Sequence, residues 1–279
     1  MSESWSPASG RREIQAALAT LGHAADAEIP LGEAALLLAA LDRPRVGLAR
    51  YRAHLDELAA AVAGSGETPR RAQRLNQVLF EDFGYAGDHA TYDDLQNANL
   101  LRVIDRRRGL PVALAILYLH AARAQGWSAE ALRFPGHVLV RLEVPQGRLI
   151  VDPFNGGQQL DPQDLRRLVK ALGGAEAELT PAHVEPMSNR EILLRLQNNI
   201  KVRRLRAGDA AGGLQTLESM LSLAPGDWRL WREAASLHLD AGNLHAAALA
   251  LDQVVDLADK QEARFEAAQA RQAVRRKLN

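Results

Sequence analysis

Residues 106–157 read RRRGLPVALAILYLHAARAQGWSAEALRFPGHVLVRLEVPQGRLIVDPFNGG, and this stretch decides the fold. A glycine turn opens a strongly apolar helix over 111–125, and Gly126 ends it. Short β-rich runs follow, and Pro145-Gln146-Gly147 supplies a tight turn between the last two. The strands are predicted over 131–134, 137–144 and 148–152. The stretch therefore predicts a core in which a short antiparallel sheet packs against the 111–125 helix.

The sequence on either side of this core is helical in pattern, so the predicted fold class is α+β and mostly helical. Apolar residues recur every three or four positions between Ile14 and Val62 and again between Leu75 and Ile104. Thr68-Pro69 marks a helix start, because a capping hydroxyl precedes a proline. We expect a disordered Ser/Gly/Pro-rich tail over 1–10, a helical N-terminal segment with the core over 11–180, and a separate helical region over 190–279.

The C-terminal region carries an internal repeat. Ala207-Gly208-Asp209 and Ala241-Gly242-Asn243 are 34 residues apart, and several leucines match at the same offset. Thirty-four residues is the tetratricopeptide period, in which each repeat is a pair of antiparallel helices. We therefore expect helix pairs from about 190, with breaks near Gly208, Pro225 and Gly242. Trp228 and Trp231 should differ in exposure, because a repeat packs only part of each helix.

Composition excludes several classes of function. The chain has 34 basic and 34 acidic residues and so a net charge of zero. This composition does not indicate a basic surface that would bind nucleic acid or an anionic membrane. No apolar run approaches the roughly 20 residues of a membrane span, and the N-terminus does not resemble a secretory signal. We therefore expect a cytoplasmic protein. The absence of cysteine excludes disulfides and thiolate metal sites, and we expect neither metal nor cofactor.

Three short segments carry a resemblance to a known family. They are Arg-Arg-Gly-Leu-Pro, Phe-Pro-Gly-His-Val-Leu-Val-Arg and Asp-Pro-Phe-Asn-Gly-Gly, followed by the tetratricopeptide-like helices. Together they resemble the SirB-type transglutaminase-like family of bacteria, over roughly 30–279. In the wider papain-like superfamily, a cysteine at a helix N-terminus attacks an acyl group. A strand histidine activates that cysteine, and an aspartate orients the histidine. The resemblance places Pro111, His137 and Asp152 at the three positions.

The resemblance also implies further signature positions, which are candidate binding residues. They are Asn97, Arg107, Arg108, Gly109, Phe134, Gly136, Arg141, Phe154, Gly156 and Gly157. Simpler roles compete with binding at several of them. Gly156-Gly157 fits a turn that needs positive φ, and arginines commonly form surface salt bridges.

Pro111 stands where the resemblance implies the cysteine. Between Gly109 and Trp127 the sequence has no Ser, Thr or Cys, and Ser128 lies past the other end of the helix. We expect Pro111 in the first turn of its helix, where a missing N–H has no consequence. His137 should lie on the strand that faces this turn, with Asp152 within hydrogen-bonding reach. That pair serves either to seal the hairpin end, to bind a ligand, or to catalyse a reaction.

Two functional hypotheses follow. The first is a non-catalytic, cytoplasmic interaction scaffold, a pseudoenzyme whose helical repeats bind a peptide or protein partner. The second is a hydrolase or an acyl- or amide-processing enzyme that uses His137 and Asp152 to activate water. Direct DNA contact is a third class, which the zero net charge and the lack of a basic helix disfavour.

Overall fold

The structure is a computed structural model, and it describes residues 7–63, 68–144 and 147–278. The chain divides into two compact units. The core unit comprises Met1–Gly10 and Asp26–Leu196, and the repeat unit comprises Arg11–Ala25 and Gln197–Asn279. Residues 11–25 thus group with the repeats, whereas the sequence suggested that they belong with the core.

The first helix explains this grouping. Helix α1 spans Pro7–His23, and a Cβ built on Gly22 would lie 2.1 Å from the carbonyl oxygen of Ser222. Only glycine permits so close an approach to the repeat helices. Residues 7–10 are helical, which departs from the predicted tail over 1–10, and a proline in the first turn is compatible with a helix. Residues 1–6 lie outside the described residues.

The core unit is mostly helical, as the apolar spacing predicted. Its helices are α2 Leu31–Leu41, α3 Ala49–Val62, α4 Thr68–Asn76, α5 Leu100–Arg106, α6 Pro111–Arg123 and α7 Pro162–Gly173. Helix α6 is the predicted apolar helix, and its residues from Val112 to Leu119 are at most 2% exposed. Burying each of its larger side chains contributes about 1.5–3 kcal/mol. Helix α6 contacts α2, α3 and the sheet, so it forms the centre of the core.

The core also contains two short strands that the sequence did not predict, β1 Ala86–Gly87 and β2 Arg108–Gly109. They pair in parallel, with Gly87 opposite Gly109. The strand ranges predicted from the sequence all lie within 131–152, so the prediction missed this parallel pair. Two residues are too few to produce an alternating pattern. The pairing matters because it joins the loop after Tyr85 to the residues just before α6.

The predicted antiparallel sheet is confirmed, with shifted ends and one further strand. Its strands are β3 Ala129–Leu132, β4 Leu139–Val144, β5 Gly147–Asp152 and β6 Gln158–Leu160, in that spatial order. Strand β4 begins after His137, because Gly136 turns the chain at φ +67. Strand β6 was missed, since three residues give no periodicity. The predicted turn residues Pro145 and Gln146 lie outside the described part of the chain.

The C-terminal helices are confirmed. They are α8 Asn189–Arg206, α9 Ala210–Leu223, α10 Trp228–Asp240, α11 Leu244–Leu257 and α12 Gln261–Leu278. Positive φ at Gly208 and Gly242 makes two of the predicted breaks. Trp228 is 7% exposed, and Trp231 is more open, as predicted. Within the described residues no helix has the length and apolar character to cross a membrane.

Candidate functional site

Pro111 occupies the first turn of α6, as predicted. Leu110 precedes it in extended conformation, and the Leu110 N–H donates to the Asn97 carbonyl at 2.9 Å. Proline has no N–H to donate, but the first N–H groups of a helix have no intrahelical acceptor in any case. The start of α6 is therefore well formed with Pro111 as its first residue.

His137 and Asp152 meet at one end of the sheet. Asp152 is the last residue of β5, whereas His137 lies in a bend two residues before β4 begins. The prediction that His137 lies on a strand was therefore wrong, because the positive φ of Gly136 delays the strand. Their proximity is confirmed, with His137 Nε2 2.9 Å from Asp152 Oδ1. The atoms are close but poorly aligned, because buried Nε2 makes no directed hydrogen bond to any described residue.

Asp152 also holds the turn that follows it. Its Oδ1 accepts from the Phe154 N–H at 3.0 Å, and its Oδ2 accepts from Asn155 Nδ2 at 2.7 Å. Burial by itself raises the pKa of Asp152, but His137, Asn155 and the Phe154 N–H together hold that pKa below its ordinary value. The group is therefore an ionised carboxylate with much of its accepting capacity occupied by the turn.

Aromatic rings cover the His137 side chain, which is 9% exposed. The Phe154 ring lies edge-on to it, with centroids 5.8 Å apart. His89 and Tyr92 lie against the same phenyl ring, at 4.5 and 5.8 Å. A Cβ on Gly87 would come within 2.7 Å of the Phe154 ring, so this ring also contacts the backbone beside the start of α6. Of these residues, the resemblance had pointed to His137 and Phe154.

Asn97 is fully buried and supports the start of α6. Its Oδ1 accepts from Arg106 Nη1 at 2.8 Å, and its Nδ2 donates to the Thr91 carbonyl at 2.6 Å. Arg106 also pairs with Asp88 at 3.1 Å. Hydrogen bonds from the Thr91 hydroxyl and N–H, with a contribution from Arg106, lower the pKa of Asp88 to about 2. The resemblance had pointed to Arg107 and Arg108, whereas packing brings Arg106 into this network.

Arg107 belongs to a different cluster. It ends α5 with φ +57, and its Nη1 lies 2.6 Å from His54 Nε2 and 2.5 Å from the Tyr85 hydroxyl. Burial and the Arg107 charge lower the pKa of His54, while burial raises the pKa of Tyr85. A neutral His54 therefore accepts from Arg107. Arg108 is exposed and donates to the Gly84 carbonyl at 3.2 Å.

Arg141 and Phe134 have contacts that account for them structurally. Arg141 pairs with Glu130 on the neighbouring strand, at 3.1 Å from Nε, which is the salt-bridge alternative of the sequence analysis. Phe134 is fully buried in an apolar cluster with Leu132 and Leu139. The contacts described for Arg141 and Phe134 do not involve Pro111.

Turn geometry accounts for the remaining glycines. Gly136, Gly156 and Gly157 all have φ between +66 and +73, a region that favours glycine. Gly157 is also tightly packed, since a Cβ there would lie 2.0 Å from Asn76 Oδ1. Gly109 lies on β2, where a Cβ would come within 2.9 Å of Val103.

Arg195 on α8 was missed by the sequence analysis. Its Nη2 donates to the carbonyls of Phe134 and His137, at 2.8 and 2.7 Å. It therefore fixes the backbone on both sides of the Gly136 turn. Nothing near Arg195 in the sequence signals this role, because its acceptors are 61 and 58 residues away. Within the described residues, no group of three or more His, Asp or Glu side chains is arranged to hold a metal ion.

Family comparisons agree with the two regions. The family model of the transglutaminase-like superfamily matches residues 49–198, and a tetratricopeptide-repeat model matches residues 200–279. A UPF0162 protein of Xylella fastidiosa (strain 9a5c) is 31% identical over 229 residues, which cover 80% of this chain and 82% of the relative.

Two further relatives show how far the similarity extends. A UPF0162 protein of Pseudomonas aeruginosa is 32% identical over 199 residues, covering 70% of this chain and 72% of that protein. F-box only protein 21 of Mus musculus is 29% identical over 103 residues, which are 34% of this chain and 16% of that much longer protein. The two UPF0162 proteins are thus similar over 70–80% of the chain, whereas the similarity to F-box only protein 21 covers about a third of it.

Proposed function

The chain belongs to the transglutaminase-like superfamily and to the UPF0162 proteins, and from that premise we propose that it is a non-catalytic, cytoplasmic interaction scaffold. In this proposal the transglutaminase-like core serves as a rigid support. The tetratricopeptide helices bind a peptide or a protein partner, as such repeats generally do through their extended surfaces.

Pro111 is the single observation that carries the proposal. A thiol at a helix N-terminus is activated by the helix dipole and a nearby imidazole, and a pyrrolidine ring offers no atom that can attack an acyl group. Two other features support it. Asp152 is engaged in the turn at Phe154 and Asn155, and Phe154 packs against the imidazole of His137.

A groove between α9, α10 and α11 supports the partner-binding half of the proposal. It encloses about 400 Å³ and is lined mostly by apolar side chains, Leu221, Trp231 and Leu249 among them. Leu249 is 67% exposed, and it lies in the same groove as Trp231 and Leu221, so the apolar side chains there are contiguous rather than scattered. Glu218 and His238 add polar contacts at the same groove. We expect the partner to place an apolar side chain between Trp231 and Leu249.

A matched pair of variants tests the groove. Phe265 is 63% exposed in the same unit, and it does not line the groove. Proteins that co-purify from the source cell should be retained by Phe265→Ser and lost with Leu249→Ser, as measured by quantitative mass spectrometry. Equal retention by both variants would place the partner elsewhere.

The non-catalytic half has a separate test. Purified protein is incubated with panels of glutamine donors, amine acceptors and peptides, and we expect no turnover. Turnover that disappears in His137→Ala would overturn this half without affecting the groove experiment.

A hydrolase that activates water is the second candidate, and the 2.9 Å His137–Asp152 distance favours it. An ionised carboxylate beside an imidazole can orient that imidazole as a general base. This candidate requires ester or amide hydrolysis that falls strongly in Asp152→Asn. Hydrolysis unaffected by Asp152→Asn would exclude it.

A further inference from the structure

A cavity of about 490 Å³ lies at the other end of α6 from Pro111. Side chains of α2, α3 and α6 line it, and the charged ones are Glu33, Arg52, Asp56 and Arg123. We propose that this cavity binds a small organic carboxylate, whose carboxylate group pairs with Arg123. The proposal concerns a ligand site in the core unit, separate from the His137 pair and from the repeat groove.

Arg123 carries a partly buried charge without a counter-ion among the described residues. Its Nε donates to the Ala129 carbonyl at 2.9 Å, and its Nη1 donates to Asn189 Oδ1 at 2.7 Å. Both acceptors are neutral, and burial lowers the pKa of Arg123. A guanidinium nevertheless stays protonated and has five N–H donors. Arg123 therefore brings a positive charge and unused donors to the cavity wall.

Two carboxylates of the chain, Asp26 and Glu130, interact electrostatically with Arg123, and each already has other hydrogen-bond or ion-pair partners. The Asp26 carboxylate accepts the N–H groups of Asn189 and Arg190, at 2.8 and 2.9 Å. Glu130 pairs with Arg141. Both acids favour the charged form of Arg123 at a distance, yet neither makes an ion pair with it within the described chain. Arg123 therefore has no direct ion-pair partner among the described residues, and the cavity is the side from which a ligand carboxylate can reach it.

Arg52 provides an internal comparison in the same cavity. Its Nε and Nη2 bind both oxygens of Glu33, at 2.9 and 2.5 Å. This fork-to-carboxylate arrangement is the strongest form of arginine recognition in proteins. Arg52 is thus neutralised by the chain itself, whereas Arg123 is not. A ligand carboxylate would accept hydrogen bonds from Arg123 and neutralise its charge, as Glu33 does for Arg52.

The other wall residues suit a small polar molecule. His120 Nε2 is bonded to the Leu55 carbonyl at 3.2 Å, and burial lowers the pKa of His120, so this ring adds no competing positive charge at neutral pH. Gly32 lies so close that a Cβ would come within 2.9 Å of His120 Nδ1. Asp56 adds a negative charge, which favours a ligand that also carries a hydrogen-bond donor such as an amine. The volume lies in the range of about 300–1,000 Å³ that is usual for small-molecule sites.

The test measures binding of simple carboxylates to the full chain by titration calorimetry. Sodium glutamate, glutarate and phenylacetate are the probes, and sodium chloride and sodium phosphate at equal ionic strength are the controls. We expect at least one carboxylate to bind with a Kd of about 1 mM or tighter. Arg123→Gln should weaken it on the order of tenfold or more, because a charge-assisted hydrogen bond is lost. The Arg52→Gln, Glu33→Gln double variant removes the ion pair of the same cavity without changing its net charge, and it should change the Kd far less.

A third variant covers the case in which Arg123→Gln disturbs folding. Ala124 is exposed and lines the cavity, so Ala124→Trp fills the opening without removing a polar side chain, and carboxylate binding should be lost. Three results would overturn the proposal. The first is no carboxylate response above the salt controls, and the second is a phosphate response equal to the carboxylate response. The third is binding that the Arg52→Gln, Glu33→Gln double variant weakens as much as Arg123→Gln does, while Ala124→Trp leaves it intact.

Discussion

His137 and Asp152 approach to 2.9 Å between Nε2 and Oδ1 at the end of β5, and the same Oδ1 accepts the Phe154 N–H at 3.0 Å. The carboxylate that faces the imidazole is therefore also the cap of the turn that carries the Phe154 ring over that imidazole. The Asp152 side chain therefore influences both the orientation of His137 and the turn that follows β5. Changes at Asp152 should consequently alter stability as well as any chemistry at His137.

Replacing Asp152 by alanine should lower the free energy of unfolding by about 1–3 kcal/mol at pH 7, because buried donors lose their acceptor. The folded-state pKa of Asp152 is depressed, so its contribution is present above the unfolded value of about 3.9 and is lost as pH falls through the folded pKa. Urea unfolding between pH 2 and 7 measures this. The difference between the natural chain and Asp152→Ala should shrink below pH 4. A constant difference would contradict the assigned charge.

His54 should make the protein sensitive to mild acid. Burial and the Arg107 charge depress its pKa, so between the folded value and the ordinary value of about 6.5 the unfolded chain binds more protons. Stability is full above about pH 6.5 and declines as pH falls toward the folded pKa. Thermal unfolding at pH 5 and 7.5 compares the natural chain with His54→Gln. The variant should lose less stability on acidification, and an equal loss would place the acid-sensitive group elsewhere.

Gly87→Ala should destabilise the contact between Phe154 and the start of α6. A Cβ at Gly87 would lie 2.5 Å from the Phe154 carbonyl oxygen and 2.7 Å from its ring. Overpacking of this kind costs about 1–3 kcal/mol. Gly47→Ala is the matched control, because a Cβ there meets nothing within 4 Å. Chemical denaturation should separate the two variants, and similar midpoints would mean that the backbone at Gly87 shifts easily.

Pro111→Cys tests whether the core keeps the environment of a cysteine site. The thiol would lie at the N-terminus of α6, where the helix dipole lowers a thiol pKa from about 8.5, and the resemblance to the superfamily implies that the His137 imidazole lowers it further. Thiolate absorbance against pH measures the pKa, and the iodoacetamide rate checks it. Ser128→Cys, exposed and past the other end of α6, is the control.

We expect Pro111→Cys to have the lower thiol pKa of the two variants and to react faster than a free thiol. The shift should diminish in the Pro111→Cys, His137→Ala double variant, because the imidazole no longer favours the thiolate. A thiol pKa equal to that of Ser128→Cys would mean that the chain shares the outline of the superfamily without its electrostatics.

Some features of the site follow from sequence and others do not. Pro111 at a helix start and His137 near Asp152 are predictable, because a helix signal and a hairpin each fix positions over a few residues. The sequence placed His137 on β4, and it missed β1, β2 and β6, since two or three residues carry no periodicity. It offered Arg107 and Arg108 as binding residues, whereas Arg106 joins the Asn97 network and Arg107 binds His54.

Sequence patterns were enough to predict the α+β class, the buried α6, the antiparallel hairpin, the 34-residue repeat and the proline at the helix start. These are local patterns of burial and turn chemistry, which act over one or two turns of chain. Three contacts follow only from the packed fold: Arg195 holds the His137 loop, Phe154 packs edge-on against the imidazole, and Arg123 lines a cavity with no ion-pair partner among the described residues. Each of these depends on which side chains meet after packing, and no periodic pattern in the sequence encodes a contact between residues tens of positions apart.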